Sequence, residues 1–219
     1  MIVTIDGPAA SGKGTVARGL AARLGYDYLD TGAMYRTVAL FALRRGISCD
    51  DGSALAPLLS GIDIDMRADR VLLNGEDVTA EIREPEVSPA ASRVAAIPEV
   101  RRFLVPQQRR LAAGRRIICE GRDQGTVVFP DAPVKFYLTA RICVRAERRY
   151  RELLGRGVVT THDSVVLEII DRDRRDQERA DGPLRQPPDA VVVDSSDRTL
   201  DEVLDEMEGI IRRCATART

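Results

Sequence analysis

The most restrictive feature of this chain is the stretch Gly7-Pro8-Ala9-Ala10-Ser11-Gly12-Lys13-Gly14-Thr15. It lies directly behind the apolar run Ile2-Val3-Thr4-Ile5-Asp6 and directly ahead of Val16, Leu20 and Leu24 at helical spacing. A strand, a glycine-rich turn and a helix in that order make a phosphate-binding loop. Gly7 and Gly12 allow torsions that a Cβ opposes, so the loop N–H groups can converge on phosphate oxygens. The positive end of the following helix adds to the anion preference. Lys13 contributes a compact, mobile ammonium for the β- and γ-phosphates of a nucleoside triphosphate. In the common pattern a hydroxyl residue follows the lysine; here Gly14 takes that place and Thr15 carries the hydroxyl one position later, where it is the candidate for a site near Mg²⁺.

Composition removes several other classes. The chain has 219 residues, 33 Lys and Arg against 34 Asp and Glu, a formal net charge of −1, and 4% aromatic residues with no tryptophan. A general nucleic-acid binder carries a basic excess and stacking aromatics, so the composition argues against that class. No run approaches the length of a membrane span, and the N-terminus lacks the basic and apolar regions of a signal peptide. The expectation is a cytoplasmic, monomeric protein without membrane or nucleic-acid partners. His162 is the only histidine, which excludes zinc sites built on several histidines. Cys49, Cys119, Cys143 and Cys214 form no Cys-x-x-Cys pair and are expected as buried free thiols. Lys13 and Lys135 are the only lysines, so the ammonium at position 13 stands out in an arginine-rich chain.

Periodicity gives the fold class. Short apolar runs at 2–6, 26–30, 116–120, 134–138 and 190–194 alternate with helical patterns at 15–24, 33–45, 141–154 and 164–180. Thr199-x-x-Glu202 reads as a capping box that opens a last helix, with Leu200, Val203, Leu204, Met207, Ile211 and Cys214 inward. Residues 84–113 read as helices interrupted at Pro89, Pro98 and Pro106. The whole describes an α/β domain over 1–219 with a mainly parallel sheet flanked by helices, 190–194 being its clearest buried strand. Two segments lie outside that core. Residues 62–82 alternate with period two around Asn74-Gly75, a small antiparallel insertion. Residues 155–182, bounded by Gly155, Gly157 and Gly182-Pro183, form a charged segment with the makings of a hinged lid.

Further polar clusters follow the strands, where open α/β sheets bind ligands. In Asp30-Thr31-Gly32-Ala33-Met34-Tyr35-Arg36, Thr31 offers a hydroxyl and Arg36 a bidentate phosphate clamp, while a helix cap at Asp30 or Thr31 accounts for the same residues structurally. In Glu120-Gly121-Arg122-Asp123, Glu120 stands where a carboxylate holds Mg²⁺ through water. Arg122 and Asp123 offer donors and acceptors suited to a pyrimidine edge; a polar turn with a local ion pair is the alternative. In the charged segment, Arg172, Arg175, Asp176 and Arg179 share one helical face, a phosphate clamp rather than a solvated helix of i,i+4 pairs.

These segments resemble the bacterial cytidylate kinase family over nearly the whole chain. The carrying motifs are Ile5-Asp6-Gly7-Pro8, Gly12-Lys13-Gly14-Thr15, Asp30 to Arg36, Leu73-Asn74-Gly75-Glu76-Asp77-Val78, Ser92-Arg93-Val94-Ala95, Glu120 to Asp123, and Gly125 to Ala132. Gln124 stands where the family more often has an apolar residue. The resemblance implies the nucleoside monophosphate kinase fold of P-loop kinases, with a five-stranded parallel sheet in the order 2-3-1-4-5. It implies an acceptor-binding region over 31–113 that contains the antiparallel part, and a short helical lid over 155–182. It implies transfer of the γ-phosphoryl group of ATP to CMP, and to dCMP, with Mg²⁺ as cofactor. Carried over residue by residue, Gly7 to Thr15 bind ATP, and Thr15 and Glu120 serve the metal. Thr31, Arg36, Ser92, Arg101, Arg122, Asp123, Arg172, Asp176 and Arg179 contact CMP. Lys13, Arg172, Arg175 and Arg179 act on the phosphoryl group. Arg141 is the candidate to stack on adenine. A guanine-reading Asn-Lys-x-Asp motif, which a nucleotide-dependent switch would need, is absent from the sequence.

Overall fold

The structure is a computed structural model that describes residues 1–67 and 70–217; positions 68 and 69 of the expected insertion lie outside the described residues. The chain begins with β1 (Ile2–Asp6), α1 (Lys13–Leu24), β2 (Asp27–Asp30) and α2 (Thr31–Arg44). It continues through the short α3 (Gly52–Leu55), β3 (Ile64–Arg67), β4 (Arg70–Leu73), β5 (Glu76–Asp77), α4 (Val87–Val94) and α5 (Pro98–Ala112). Then come β6 (Ile117–Gly121), β7 (Val134–Thr139), α6 (Ile142–Gly155), α7 (His162–Glu178), β8 (Val191–Asp194) and α8 (Leu200–Thr216).

The five-stranded sheet runs β2-β6-β1-β7-β8, and β1·β6, β1·β7 and β7·β8 are parallel. In whole-chain numbering this differs from the expected 2-3-1-4-5, because β3, β4 and β5 are counted between; they form a sheet of their own, β3-β4-β5, with antiparallel pairings. The Asn74-Gly75 turn joins β4 to β5 with positive φ at both residues, 51° and 85°, the geometry a two-residue hairpin loop needs.

The chain divides into two compact units, one made of Met1–Tyr28, Gly114–Glu178 and Gly182–Thr219, the other of Leu29–Ala113 and Arg179–Asp181. In the first unit, Val3 and Ile5 of β1, Ile118, Phe136, Leu138 and Val193 pack with Val16 and Leu20 of α1 and Leu204, Met207 and Ile211 of α8. Each such aliphatic or aromatic side chain contributes about 1.5–3 kcal/mol when fully buried. In the second unit α2 packs on α4, burying Met34, Val38 and Phe41 on one side and Val87, Ala90 and Val94 on the other.

Several sequence expectations change. Helix α5 runs straight through Pro106, because the buried stripe of Val100, Leu104, Gln108 and Ala112 outweighs the one backbone bond that the proline, on the exposed side, removes. Strand β8 is not buried: it pairs with β7 at the end of the sheet order, and Val191 and Val192 remain exposed while Val193 alone enters the core. An apolar run does not distinguish an edge strand from a central one. Leu200 is exposed at the first turn of α8 rather than inward, and Cys143 is exposed rather than buried. Helix α7 ends at Glu178, so Arg179 leaves the helical face that holds Arg172, Arg175 and Asp176 and falls with the second unit.

Candidate active site

The phosphate loop forms as its sequence requires. A Cβ at Gly7 would lie 2.0 Å from the Leu138 carbonyl oxygen, a backbone atom with no room to give. Gly12, at φ 89°, is the N-cap of α1. Ala10, with a Cβ, is nevertheless held at φ 56°, a conformation that costs an L-residue roughly 1–2 kcal/mol. The surroundings of the loop therefore fix its shape. Lys13 is buried, and its Nζ donates to the Pro8 carbonyl at 2.7 Å and to the Ser11 hydroxyl at 3.2 Å. Burial, followed by the nearby Arg122 guanidinium, pushes its pKa well below the ordinary lysine range. Its direct hydrogen-bond acceptors are neutral, so an arriving polyphosphate displaces a carbonyl and a hydroxyl and adds negative charge to that of the nearby Glu120 and Asp6.

Strand β6 leaves the sheet beside β1, with Gly121 in register with Asp6. The loop and the Arg122–Asp123 turn thus start at the same end of adjacent strands. A wide turn over Gln124–Val128 follows, its N–H groups at Val127 and Val128 bonded to the Asp123 carbonyl. Asp6 holds this turn from beneath: its carboxylate accepts from the N–H of Gln124 at 2.9 Å and of Gly125 at 2.7 Å. Burial pushes the Asp6 pKa up to about 6 against those two N–H groups. Asp6 is a residue the sequence reading passed over as the end of a strand; its signal was a carboxylate placed directly before Gly7. Asp123 is itself buried, and Arg122 donates from Nε to Asp176 on α7 at 2.8 Å. Gln124 is buried, with its N–H on Asp6 and its carbonyl accepting from Phe129.

Glu120, at the end of β6, accepts a 2.5 Å hydrogen bond from the Tyr28 hydroxyl. A Cβ on Gly14 would lie 2.9 Å from its Oε1, so the glycine that replaces the usual hydroxyl residue makes room for this carboxylate against the loop. Thr15 is exposed next to it in sequence. A carboxylate and a hydroxyl are hard oxygen donors, the kind that bind Mg²⁺ in company with water and phosphate. Among the described residues no group of three or more His, Cys, Asp or Glu could hold a metal by itself.

Beyond the loop lies a cavity of about 470 Å³, lined among others by Ser11, Gly12, Thr15, Arg149, Ser195 and Leu200. Its size is that of a small-molecule pocket. Arg148 is fixed on the same wall by its bonds to the Ser195 hydroxyl at 3.0 Å and carbonyl at 2.7 Å. Leu200, misplaced by the helical pattern, is exposed because it faces this cavity. Arg141 does not line it; its guanidinium is held by Asp197 at 2.6 Å.

In the second unit, Asp30 caps α2 by accepting from the Ala33 N–H at 2.8 Å, which places Thr31 at the first helical position, buried. The other Asp30 oxygen pairs with Arg36 at 2.8 Å, so cap and clamp are the same carboxylate. Ser92 is buried on α4. Arg101, on α5, is 1% exposed; it donates to the Tyr35 hydroxyl at 3.2 Å and pairs with Asp181 at 3.3 Å. Arg179 is buried as well. On α7, Arg175 pairs with Asp171 at 3.2 Å, and Arg172 is half-buried. His162 starts α7 edge-on to the Tyr150 ring at 5.8 Å, and Lys135 is buried on Asp189 at 2.8 Å.

The cytidylate kinase family profile matches residues 3–213. A cytidylate kinase of Geobacter sp. (strain M21) is 48% identical over 97% of this chain and 93% of its own length. One of Methylococcus capsulatus is 48% identical over 93% of each. Among solved structures, a shikimate kinase from Bacteroides thetaiotaomicron covers 97% of this chain and 98% of its own with a TM-score of 0.52 at 10% identity. A gluconokinase from Sinorhizobium meliloti 1021 covers 98% of this chain and 93% of its own with a TM-score of 0.51 at 16% identity, so the fold is that of small kinases.

Proposed function

The chain belongs to the cytidylate kinase family, and from that premise we propose that it transfers the γ-phosphoryl group of ATP to CMP, and also to dCMP, giving ADP and the diphosphate. The observation that carries this reading is the register of Asp6 with Gly121. It sets the phosphate loop and the Arg122–Asp123 turn side by side at one end of the sheet. The amides of Gly7 to Thr15 and Lys13 take the ATP phosphates, and the cavity of about 470 Å³ beside the loop takes the adenine, with Arg149 on its wall. Arg122 and Asp123 read the cytosine edge: the carboxylate accepts from the exocyclic amine that uracil lacks. In the second unit, whose residues 31–113, including the antiparallel part 62–82, serve as the acceptor-binding region, Thr31, Arg36, Ser92 and Arg101 hold CMP. The segment 155–182 acts as the lid. Its Arg172 and Arg175, with Asp176 and Arg179, engage the acceptor and the phosphoryl group in flight, excluding water.

Thr15, and Glu120 through water, would hold Mg²⁺, which would supply charge neutralisation to the ATP phosphates. The acceptor phosphate is already anionic, so no strong general base is needed.

A panel of CMP, dCMP, UMP, AMP and TMP with ATP, coupled to ADP formation, tests the assignment. Turnover should be fastest with CMP, and Asp123→Ala should reduce the CMP-over-UMP preference about tenfold or more, in line with ~1–3 kcal/mol for a lost base contact. A wild-type enzyme that turns over UMP, AMP or TMP as fast as CMP would overturn the reading.

A further inference from the structure

Ala9 lies in the phosphate loop, and both of its peptide groups are held by two side chains that the family roles above do not use. Its N–H donates to Asp173 Oδ1 at 2.8 Å. Its carbonyl accepts from Arg145 NH1 at 2.9 Å. The same NH1 donates to Asp173 Oδ2 at 2.6 Å, and Arg145 Nε donates to the Ala140 carbonyl at 2.9 Å. Arg145 and Asp173 are mostly buried, their side chains 10% and 14% exposed. The Ala9 methyl packs with Ala146 and Leu153 of α6 and Val165 and Ile169 of α7. Asp173 and Asp176 are three residues apart, so α7 is fastened at two points on one face, by Ala9 and by Arg122.

The carbonyl that Arg145 holds belongs to the peptide plane between Ala9 and Ala10. Turning that plane changes φ of Ala10, the residue held at φ 56°. The Arg145–Asp173 pair thus grips the loop at the point where its backbone is least free to relax by itself. We propose that Asp173 and Arg145 are positioning residues that clamp the Ala9 peptide groups, so that docking of α7 sets the phosphate loop in its ATP-binding shape. The proposal rests on the reading of Gly7 to Thr15 as the ATP site. In it, the helix that carries Arg172 and Arg175 and the loop that binds ATP are parts of one assembly. Release of Asp173 from Ala9 frees the loop, while the Arg122–Asp176 pair still fastens α7.

The test is the dissociation constant for Mg·ATP without acceptor, the KM for CMP, and the thermal midpoint, measured on the full chain. Asp173→Asn keeps the shape but removes the charge facing Arg145; the dissociation constant for ATP should rise at least tenfold while the KM for CMP stays within twofold. Asp173→Glu, which keeps the charge, should recover to within about threefold of wild type. The double variant Arg145→Leu with Asp173→Leu replaces the pair by packing apolar groups and guards against simple misfolding. It should melt near the wild-type temperature yet bind ATP as poorly as Asp173→Asn. Wild-type ATP affinity in that double variant, or equal losses for ATP and CMP in Asp173→Asn, would overturn the clamp. Failure of the wild-type enzyme to phosphorylate CMP while ATP binding still depends on Asp173 would instead overturn the acceptor assignment and leave the clamp standing.

Discussion

The phosphate-loop end of the first unit and the second unit hold their functional charges on opposite kinds of partner. In the first, Lys13 sits on a carbonyl and a hydroxyl, and Asp6 sits on two N–H groups. In the second, Arg36 and Arg101 sit on the carboxylates Asp30 and Asp181. A charge buried among neutral dipoles is destabilised until a counter-charge arrives. A cation already paired with a carboxylate gives up that pair when a phosphate binds. On the proposed roles, the first arrangement would make ATP binding strongly favourable at Lys13. The second would make acceptor binding an exchange of one anion for another, which selects by geometry rather than by raw attraction.

Lys13→Ala breaks the comparison at its strongest point. It should lower kcat about a thousandfold, ~4 kcal/mol of transition-state stabilisation. Its thermal midpoint should not fall, because the removed ammonium was buried on neutral acceptors. A variant with near-normal turnover, or one that does not fold, would show that the loop does not use Lys13 in this way.

The Asp6 carboxylate sharpens the comparison through pH. Its pKa rises from 3.8 to about 6 in the folded protein. Between those values the folded state binds the proton more readily than the unfolded state. The Asp6 contribution to stability is therefore fully present below pH 3.8, falls as pH rises through about 6, and is constant above. The interval corresponds to about 3 kcal/mol, an order of magnitude for one fully buried group. Carboxylates such as Asp51 and Glu76, held below their ordinary values by hydrogen bonds from Ser53 and Arg44, impose the opposite slope, so the difference between two proteins is the measurement. The unfolding free energy of wild type minus that of Asp6→Asn should fall as pH is raised from 4 to 7. A flat difference would place the proton elsewhere.

The smallest effect belongs to the second unit. Asp181 is half-exposed while Arg101 is enclosed. On the proposed role of Arg101 as a CMP contact, Asp181→Asn would remove a carboxylate that competes with CMP, and the KM for CMP should fall about threefold, within the ~0–1 kcal/mol of such pairs. A rise in KM would mean that Asp181 orients Arg101 rather than competing with its ligand.

The parts of the site that were legible in the sequence are those whose interactions close over a few residues. The Asp30 cap and the Thr199–Glu202 capping box satisfy their polar groups locally, the loop Gly7 to Thr15 and the Asn74-Gly75 turn follow from torsions that glycine permits, and each forms as read. Arg145 with Asp173, Asp6 with Gln124 and Gly125, and Arg101 with Asp181 join residues far apart in the chain, and no spacing rule marks them. The helical face drawn through Arg172, Arg175, Asp176 and Arg179 failed at Arg179 because a charge pattern does not show where a helix stops. Strand β8 was misjudged for a related reason: its neighbours on the sheet, not its side chains, decide its exposure.

By itself the sequence determined the α/β class, the phosphate loop with its lysine, and membership of a kinase family, because local torsional preference and hydrophobic period are properties of short stretches. Only the tertiary structure decided that Lys13 rests on neutral acceptors, that Asp6 carries the turn after Asp123, and that Ala9 is gripped by Arg145 and Asp173. Burial and long-range hydrogen bonds set the energy of a charge, and both exist only once the chain has closed on itself.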